Sequence, residues 1–169
     1  MKVHLVYPAP LWREHGLSGW SVNAEGPLLS TVDDSPGFAP AGGAAGTRAD
    51  GPAGVLTGFV TGAEAHRFAA LDPAEQRAAA VAQAARLFPM LPEPVGFHVT
   101  DWVNDLYSKG CYAALFGPGD WLRLGPRLTA PHGRVHWAGT ETSTAFFGLL
   151  EGAVRSGHRV VAEILDRPA

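Results

Sequence analysis

Residues 133–157 constrain the fold of this chain most. Gly133 to Ala138 reads as a turn leading into a short buried strand over Val135 to Ala138, and Gly139-Thr140-Glu141-Thr142 reads as a polar turn. A glycine-spaced helix follows, beginning near Gly148. In it Leu149, Leu150, Ala153, Val154, Gly157, Val160, Val161, Ile164 and Leu165 recur at helical spacing on one face. Glu151 and Arg155 form a favourable i,i+4 pair opposite. Gly152 leaves room for something to approach the first turn closely.

The rest of the chain supplies a matching set of shorter elements. Lys2 to Tyr7 reads as a strand that starts almost at once, with nothing before it to pair with, and Pro8 and Pro10 end it. Trp20 to Asn23 and Leu28 to Val32 read as a hairpin around Glu25-Gly26-Pro27. Asp33 to Gly54 is rich in Gly, Ala and Pro and reads as a long loop, after which Val55 to Val60 returns as a strand. Thr61 with Glu64, and more strongly Asp72-Pro73-Ala74-Glu75, carry the capping-box pattern of a helix start. The second of these helices should run to about Phe88, where Pro89, Pro92 and Pro94 stop it. Val95 to Trp102 alternates like a strand, and Tyr107 to Leu128 reads as irregular.

Composition bounds the answer from outside. The chain has 169 residues, enough for one ordinary domain or a large piece of a two-domain enzyme. Charged residues are only 17%, so the chain either hides much of its surface or belongs to something larger. A net charge of -3 without a basic stripe gives no reason to expect nucleic acid. The single cysteine rules out an internal disulfide and fits a reducing compartment. No apolar run reaches the roughly 18 residues of a membrane span, and the N-terminus lacks the layout of a signal peptide. The cytoplasm is the expected location, with no membrane partner.

Several familiar chemistries find no support. Gly117-Pro118-Gly119 comes nearest to a dinucleotide fingerprint, but Leu122 fills its third glycine place. No phosphate loop and no Gly-x-Ser-x-Gly elbow occurs. His132 and His136 have a metal-like spacing, but no cysteine or paired carboxylate joins them, so no metal is expected.

Six short segments, each weak alone, together resemble the C-terminal portion of the flavin-dependent monoamine oxidase family. They are Lys2 with Tyr7-Pro8-Ala9-Pro10-Leu11-Trp12, then Asp33-Asp34-Ser35-Pro36, then Gly58-Phe59-Val60. Asp101-Trp102 with Tyr107-Ser108-Lys109-Gly110-Cys111-Tyr112 follows, and Gly139-Thr140-Glu141-Thr142 and Glu151-Gly152-Ala153 close the series. The match covers nearly the whole chain in the family's order.

The resemblance implies an FAD-dependent oxidoreductase. Such enzymes pass a hydride equivalent from the carbon next to an amine to flavin N5, and oxygen then regenerates the flavin. It places Lys2 near flavin N5 through a water, and Trp102 beside the flavin ring. Cys111 matches a position that in some members carries a thioether to the flavin. Tyr112 matches one wall of the aromatic pair around the substrate amine. Leu149 stands where the family usually has the second aromatic wall, which puts a two-sided cage in doubt. Gly139, Thr140 and Glu141 are implied to line the ribityl and pyrophosphate path. Leu150, Gly152 and Ala153 are implied to meet the flavin at the helix N-terminus, whose partial positive charge would favour the reduced flavin. Lys2 and Tyr112 are thus the candidate catalytic residues, and Tyr112 and Leu149 the candidate substrate contacts.

The expected architecture is α+β: a mixed-sheet substrate-binding region with flanking helices over residues 1–106, and a C-terminal FAD-binding segment over 107–169. The latter holds the final strand and helix of a Rossmann-like domain. The family's N-terminal half, with its dinucleotide fingerprint for the ADP part of FAD, precedes the matched region. The expected partners are therefore a small-molecule amine and an N-terminal FAD-binding half, from a longer native protein or as a separate chain. The alternative is a non-enzymatic remnant or interaction module that keeps the fold without the chemistry.

Overall fold

A computed structural model describes residues 1–36, 53–111 and 116–166. It divides into two units, Met1–Gly110 and Cys111–Ala169.

The first unit is built on β1 (Lys2–Tyr7), β2 (Ser21–Val22), β3 (Ser30–Asp33), β4 (Gly54–Phe59) and β5 (Gly96–Thr100), in the order β2-β3-β4-β1-β5. Every pairing is antiparallel, so the expected mixed sheet is not found among the described residues. The hairpin read around Glu25-Gly26-Pro27 is present as β2 and β3. The strand read with nothing before it to pair with finds both its partners later in the chain. It lies between β4 and β5, and the Met1 ammonium donates to Val60 O at 2.6 Å. Partners that lie far along the sequence cannot be read from the residues beside a strand.

Alternation in β1 sets the two faces of the sheet. Val3, Leu5 and Tyr7 are buried, while Lys2 is exposed and His4 and Val6 are half-buried. The buried face meets Phe68 of α2 (Gly62–Ala69) and Ala80 and Ala84 of α3 (Pro73–Leu87) in one apolar cluster. Each large side chain buried there contributes about 1.5–3 kcal/mol. Trp12 of the short α1 (Leu11–Glu14) joins the cluster with its indole Nε1 donating to Asp33 Oδ2 at 2.8 Å.

The two helix starts behave differently. Asp72 accepts from Glu75 N at 2.8 Å and Glu75 answers to Asp72 N at 3.0 Å, completing the capping box. Thr61 occupies the N-cap of α2 but its side chain makes no capping bond, and Glu64 pairs with Arg67 instead. The loop read over 33–54 falls mostly outside the described residues.

The second unit contains α4 (Asp120–Leu128), a 3-10 turn (Thr140–Thr142) and α5 (Leu150–Leu165). The irregular reading of 107–128 is corrected by α4, which contains Pro126. Glycines and a proline argued against a helix, but nine residues form one with Asp120 in its first turn and Asp120 paired to Arg123. The expected buried strand over Val135 to Ala138 is also overturned. His132 and Val135 exchange two backbone hydrogen bonds in a tight turn, and Val135 and Trp137 are each about half exposed. No neighbouring strand lies beside them among the described residues, so apolar character alone does not make a strand there. The helix read after Gly148 is present, with its Arg155 Nε to Glu151 Oε1 bond at 2.7 Å. Its apolar face is largely exposed: Leu150, Val154, Val161, Ile164 and Leu165 all lie open, and Gly152 and Ser156 are its buried residues. No helix among the described residues is long and apolar enough to cross a membrane.

Candidate functional site

In the first unit, Lys2 opens β1 on the sheet face away from the core. Its Nζ lies 5.7 Å from the centre of the Phe59 ring, its register partner on β4. The next residue on that face, His4, sits beside Thr57 of β4 and opposite His98 of β5. Trp102 follows β5 and is partly exposed. Asp101 holds this turn by accepting from Val103 N at 2.9 Å and Asn104 Nδ2 at 2.7 Å. Desolvation pushes Asp101 up, but the bonds from Asn104 and Val103 outweigh it and hold the carboxyl below its ordinary range. Lys109, just before Gly110 and Cys111, has φ 52, a left-handed conformation that costs an ordinary side chain energy.

In the second unit, Cys111 is an exposed free thiol. Tyr112 lies outside the described residues. Gly139, Thr140 and Glu141 are half-buried. Gly139 has φ 151 and ψ 158, a backbone region open essentially to glycine alone. Its N–H donates to Ser156 Oγ at 2.9 Å, and its carbonyl accepts from Thr142 N at 3.0 Å and Thr142 Oγ1 at 2.9 Å. Glu141 lines a cavity of ≈ 360 Å³ with Trp121, Leu122 and Pro126.

Two residues that the sequence reading missed fasten this turn to α5. Ser156 accepts from Gly139 N and donates to Ala153 O at 2.7 Å. Arg159 donates to Trp137 O at 2.6 Å and Thr142 Oγ1 at 3.1 Å, and pairs with Glu163, which also bonds His136 Nδ1 at 2.8 Å. The bond from His136, then that from Arg159, holds the Glu163 carboxyl below its ordinary range. The available signal was a serine interrupting an apolar helix four residues after Gly152, a place where small polar residues normally need a partner.

Leu149 is the N-cap of α5, and no side chain caps the helix. The N–H groups of the first turn therefore carry the unsatisfied donors and partial positive charge of a helix start. Leu149 and Leu150 are open beside them, at 55% and 88% exposure. Gly152 is buried and Ala153 half-buried on the following turn. An uncapped donor set flanked by exposed apolar side chains fits a flat, partly anionic, partly aromatic ligand, as a flavin is. Lys2 and Trp102 belong to the first unit, and Cys111, Gly139, Thr140, Glu141, Leu149, Leu150, Gly152 and Ala153 to the second. Among the described residues no group of three or more His, Cys, Asp or Glu could hold a metal ion.

Comparison with known proteins agrees over nearly the whole length. The profile of the family described as flavin containing amine oxidoreductase matches residues 1–165. A probable flavin-containing monoamine oxidase A of Dictyostelium discoideum is 34% identical over 99% of this chain and 34% of its own length. The amine oxidase [flavin-containing] B of Homo sapiens is 31% identical over 98% of this chain and 30% of its own. A putrescine oxidase structure, wild type bound to putrescine, superposes with TM-score 0.82 at 32% identity, covering 98% of this chain and 34% of that one. Cyclohexylamine oxidase from Brevibacterium oxydans gives TM-score 0.79 at 33% identity over 98% and 35%. The chain spans about a third of the length of the curated relatives it matches. On this match the chain belongs to the flavin-containing amine oxidoreductase family.

Proposed function

We propose that the chain forms the substrate side and the C-terminal flavin-holding segment of an FAD-dependent amine oxidase. The reaction removes a hydride equivalent from the carbon next to an amine, with oxygen as final acceptor. One observation carries the reading: the uncapped N-terminus of α5, fastened to the Gly139–Thr142 turn, in a chain of a flavin-containing amine oxidoreductase family.

Flavin, when bound, would supply the electron acceptor for the amine and the donor for oxygen. The chain's own residues do the rest. Gly139, Thr140 and Glu141 would hold the ribityl and pyrophosphate part of FAD. Leu150, Gly152 and Ala153 would present the first turn of α5 to a bound flavin, and the partial positive charge of that helix end would favour its reduced form. Trp102 and Lys2 would be the first unit's contributions to the flavin, Lys2 by way of a water. Cys111 is accessible for a thioether link. Tyr112, which lies outside the described residues, and Leu149 would be the residues beside the amine. Only a neutral amine can react, and an apolar pocket lowers the pKa of the bound amine toward that form.

Small alkylamines are the proposed substrates, in line with the putrescine and cyclohexylamine named for the similar structures. In this proposal residues 1–106 make up the substrate-binding region, which also lends Lys2 and Trp102 to the flavin, and 107–169 the C-terminal FAD-binding segment, which also lends Tyr112 and Leu149 to the amine. An N-terminal half, on a longer chain or a separate one, holds the ADP part. The cytoplasm is the proposed compartment. Purified protein carrying that half should be yellow and should release peroxide when given alkylamines. A protein that binds no flavin and yields no peroxide leaves a non-enzymatic remnant or interaction module as the better reading.

A further inference from the structure

The sheet face that carries Lys2 has a hydrogen-bonded polar row beside it. Thr57 Oγ1 donates to Asp34 Oδ2 at 3.0 Å, and His4 Nδ1 lies 2.8 Å from Thr57 Oγ1. His4 is half-buried, and Thr57 is 2% exposed. The side chain of His98, opposite His4 on β5, makes no hydrogen bond among the described residues, and the residue is exposed.

This row fixes where the protons lie. A hydroxyl has one hydrogen to give, and an ionised carboxylate only accepts. The Thr57 hydrogen goes to Asp34, so Thr57 Oγ1 can only accept from the imidazole. Nδ1 of His4 must then carry the proton. In the neutral ring Nε2 is left as a bare acceptor, two residues along the strand from Lys2 and on the same face. Because Thr57 is buried, water cannot readily take over either bond, and breaking the row would strand a buried polar group.

We propose that His4 is a specificity-determining residue: its Nε2 accepts a hydrogen bond from a second N–H or O–H donor on the amine substrate, such as the far end of a linear diamine. The proposal rests on the reading that Lys2 stands at the flavin, which puts the reacting end of the substrate at Lys2. Residues two apart on one strand face are separated by roughly 6–7 Å, a span that a short carbon chain bridges. A diamine therefore reaches His4, and a simple alkylamine of the same length presents it with a methyl group.

Two measurements test this. In a long-range proton–nitrogen NMR spectrum of the histidine-labelled chain, neutral His4 carries its proton on Nδ1, and Thr57→Val releases that preference. A proton on Nε2 in the unaltered chain overturns the proposal. In the flavin-loaded enzyme, kcat/KM is compared for the linear four-carbon diamine and for butylamine. His4→Leu lowers the diamine-to-monoamine ratio about tenfold, and Thr57→Val, which keeps the imidazole and the shape of the site, lowers it in the same direction. If His4→Leu does not fold, the Thr57→Val comparison decides alone. An unchanged ratio with amine oxidation intact overturns this inference and leaves the proposed function standing. An enzyme inert toward both amines overturns the two together.

Discussion

Gly152 of α5 sits so close to Phe146 that a Cβ on it would lie 3.0 Å from the Phe146 carbonyl carbon and 2.9 Å from Thr140 Oγ1. The neighbour that would have to move is backbone, held in turn by a left-handed Phe146 at φ 57 and Gly148 at φ 78. The glycine is therefore needed by the chain itself, whatever else approaches the helix. Gly152→Val should cost about 3 kcal/mol and release the 139–149 segment, and flavin retention should fall with it. Gly157, one turn and a half further on, meets nothing within 4 Å. Gly157→Ala should be neutral or stabilising by up to about 1 kcal/mol. Denaturant unfolding of the two variants measures the contrast, and equal losses would count against it.

The two helix caps give a second contrast. Asp72→Ala removes a complete capping box and should cost about 1 kcal/mol. Thr61→Ala removes a side chain that caps nothing and should change stability little. Thermal unfolding of both variants checks this, and a larger loss from Thr61→Ala would refute it.

Gln83 joins α3 to the hairpin that carries β2 and β3. It donates to Glu25 O and Leu28 O, each at 2.9 Å, and accepts from Leu28 N at 2.8 Å, while only 2% exposed. Gln83→Leu keeps the volume but leaves Leu28 N and Glu25 O without this partner, while Leu28 O keeps its bond from Asn23 Nδ2, and should cost about 1–3 kcal/mol. Faster amide exchange at Leu28, with α3 unchanged, is the expected local signature.

Asp33 makes the fold acid-sensitive. Burial pushes its carboxyl up, but bonds from Arg13, Ser35 and Trp12 prevail and bring the pKa to about 2, from an ordinary 3.8. A depressed carboxylate stabilises the fold at a pH above its unfolded pKa and loses that contribution as pH falls through the folded one. Stability on the order of 2 kcal/mol should therefore fade between about pH 4 and pH 2. Asp33→Asn should be less stable at neutral pH and flatter across that window. Urea titrations at a series of pH values check both, and parallel profiles for the two proteins would contradict the assignment.

The parts of this fold that could be read from sequence are those decided locally. Asp72-Pro73-Ala74-Glu75 announces a helix because its cap is made by residues three apart. Lys2 to Tyr7 shows its strand by alternation. The rest is decided by distant residues. β1 gains β4 and β5 from more than 45 positions away, which no local pattern reveals. Val135 to Ala138 has strand-like side chains but no strand beside it among the described residues. In the candidate site, Gly139 and Gly152 were legible because glycine marks strained or crowded backbone. Ser156 and Arg159 were not, because their task is to bond a turn that precedes them by 17 residues or more.

The most direct test of the amine oxidase reading is an anaerobic titration of the flavin-loaded protein with a small alkylamine. The visible flavin absorption should bleach as amine is added, and should return on admitting oxygen with peroxide formed in step. Flavin absorption that stays unchanged through an excess of amine, in a protein that holds the cofactor, would contradict the account.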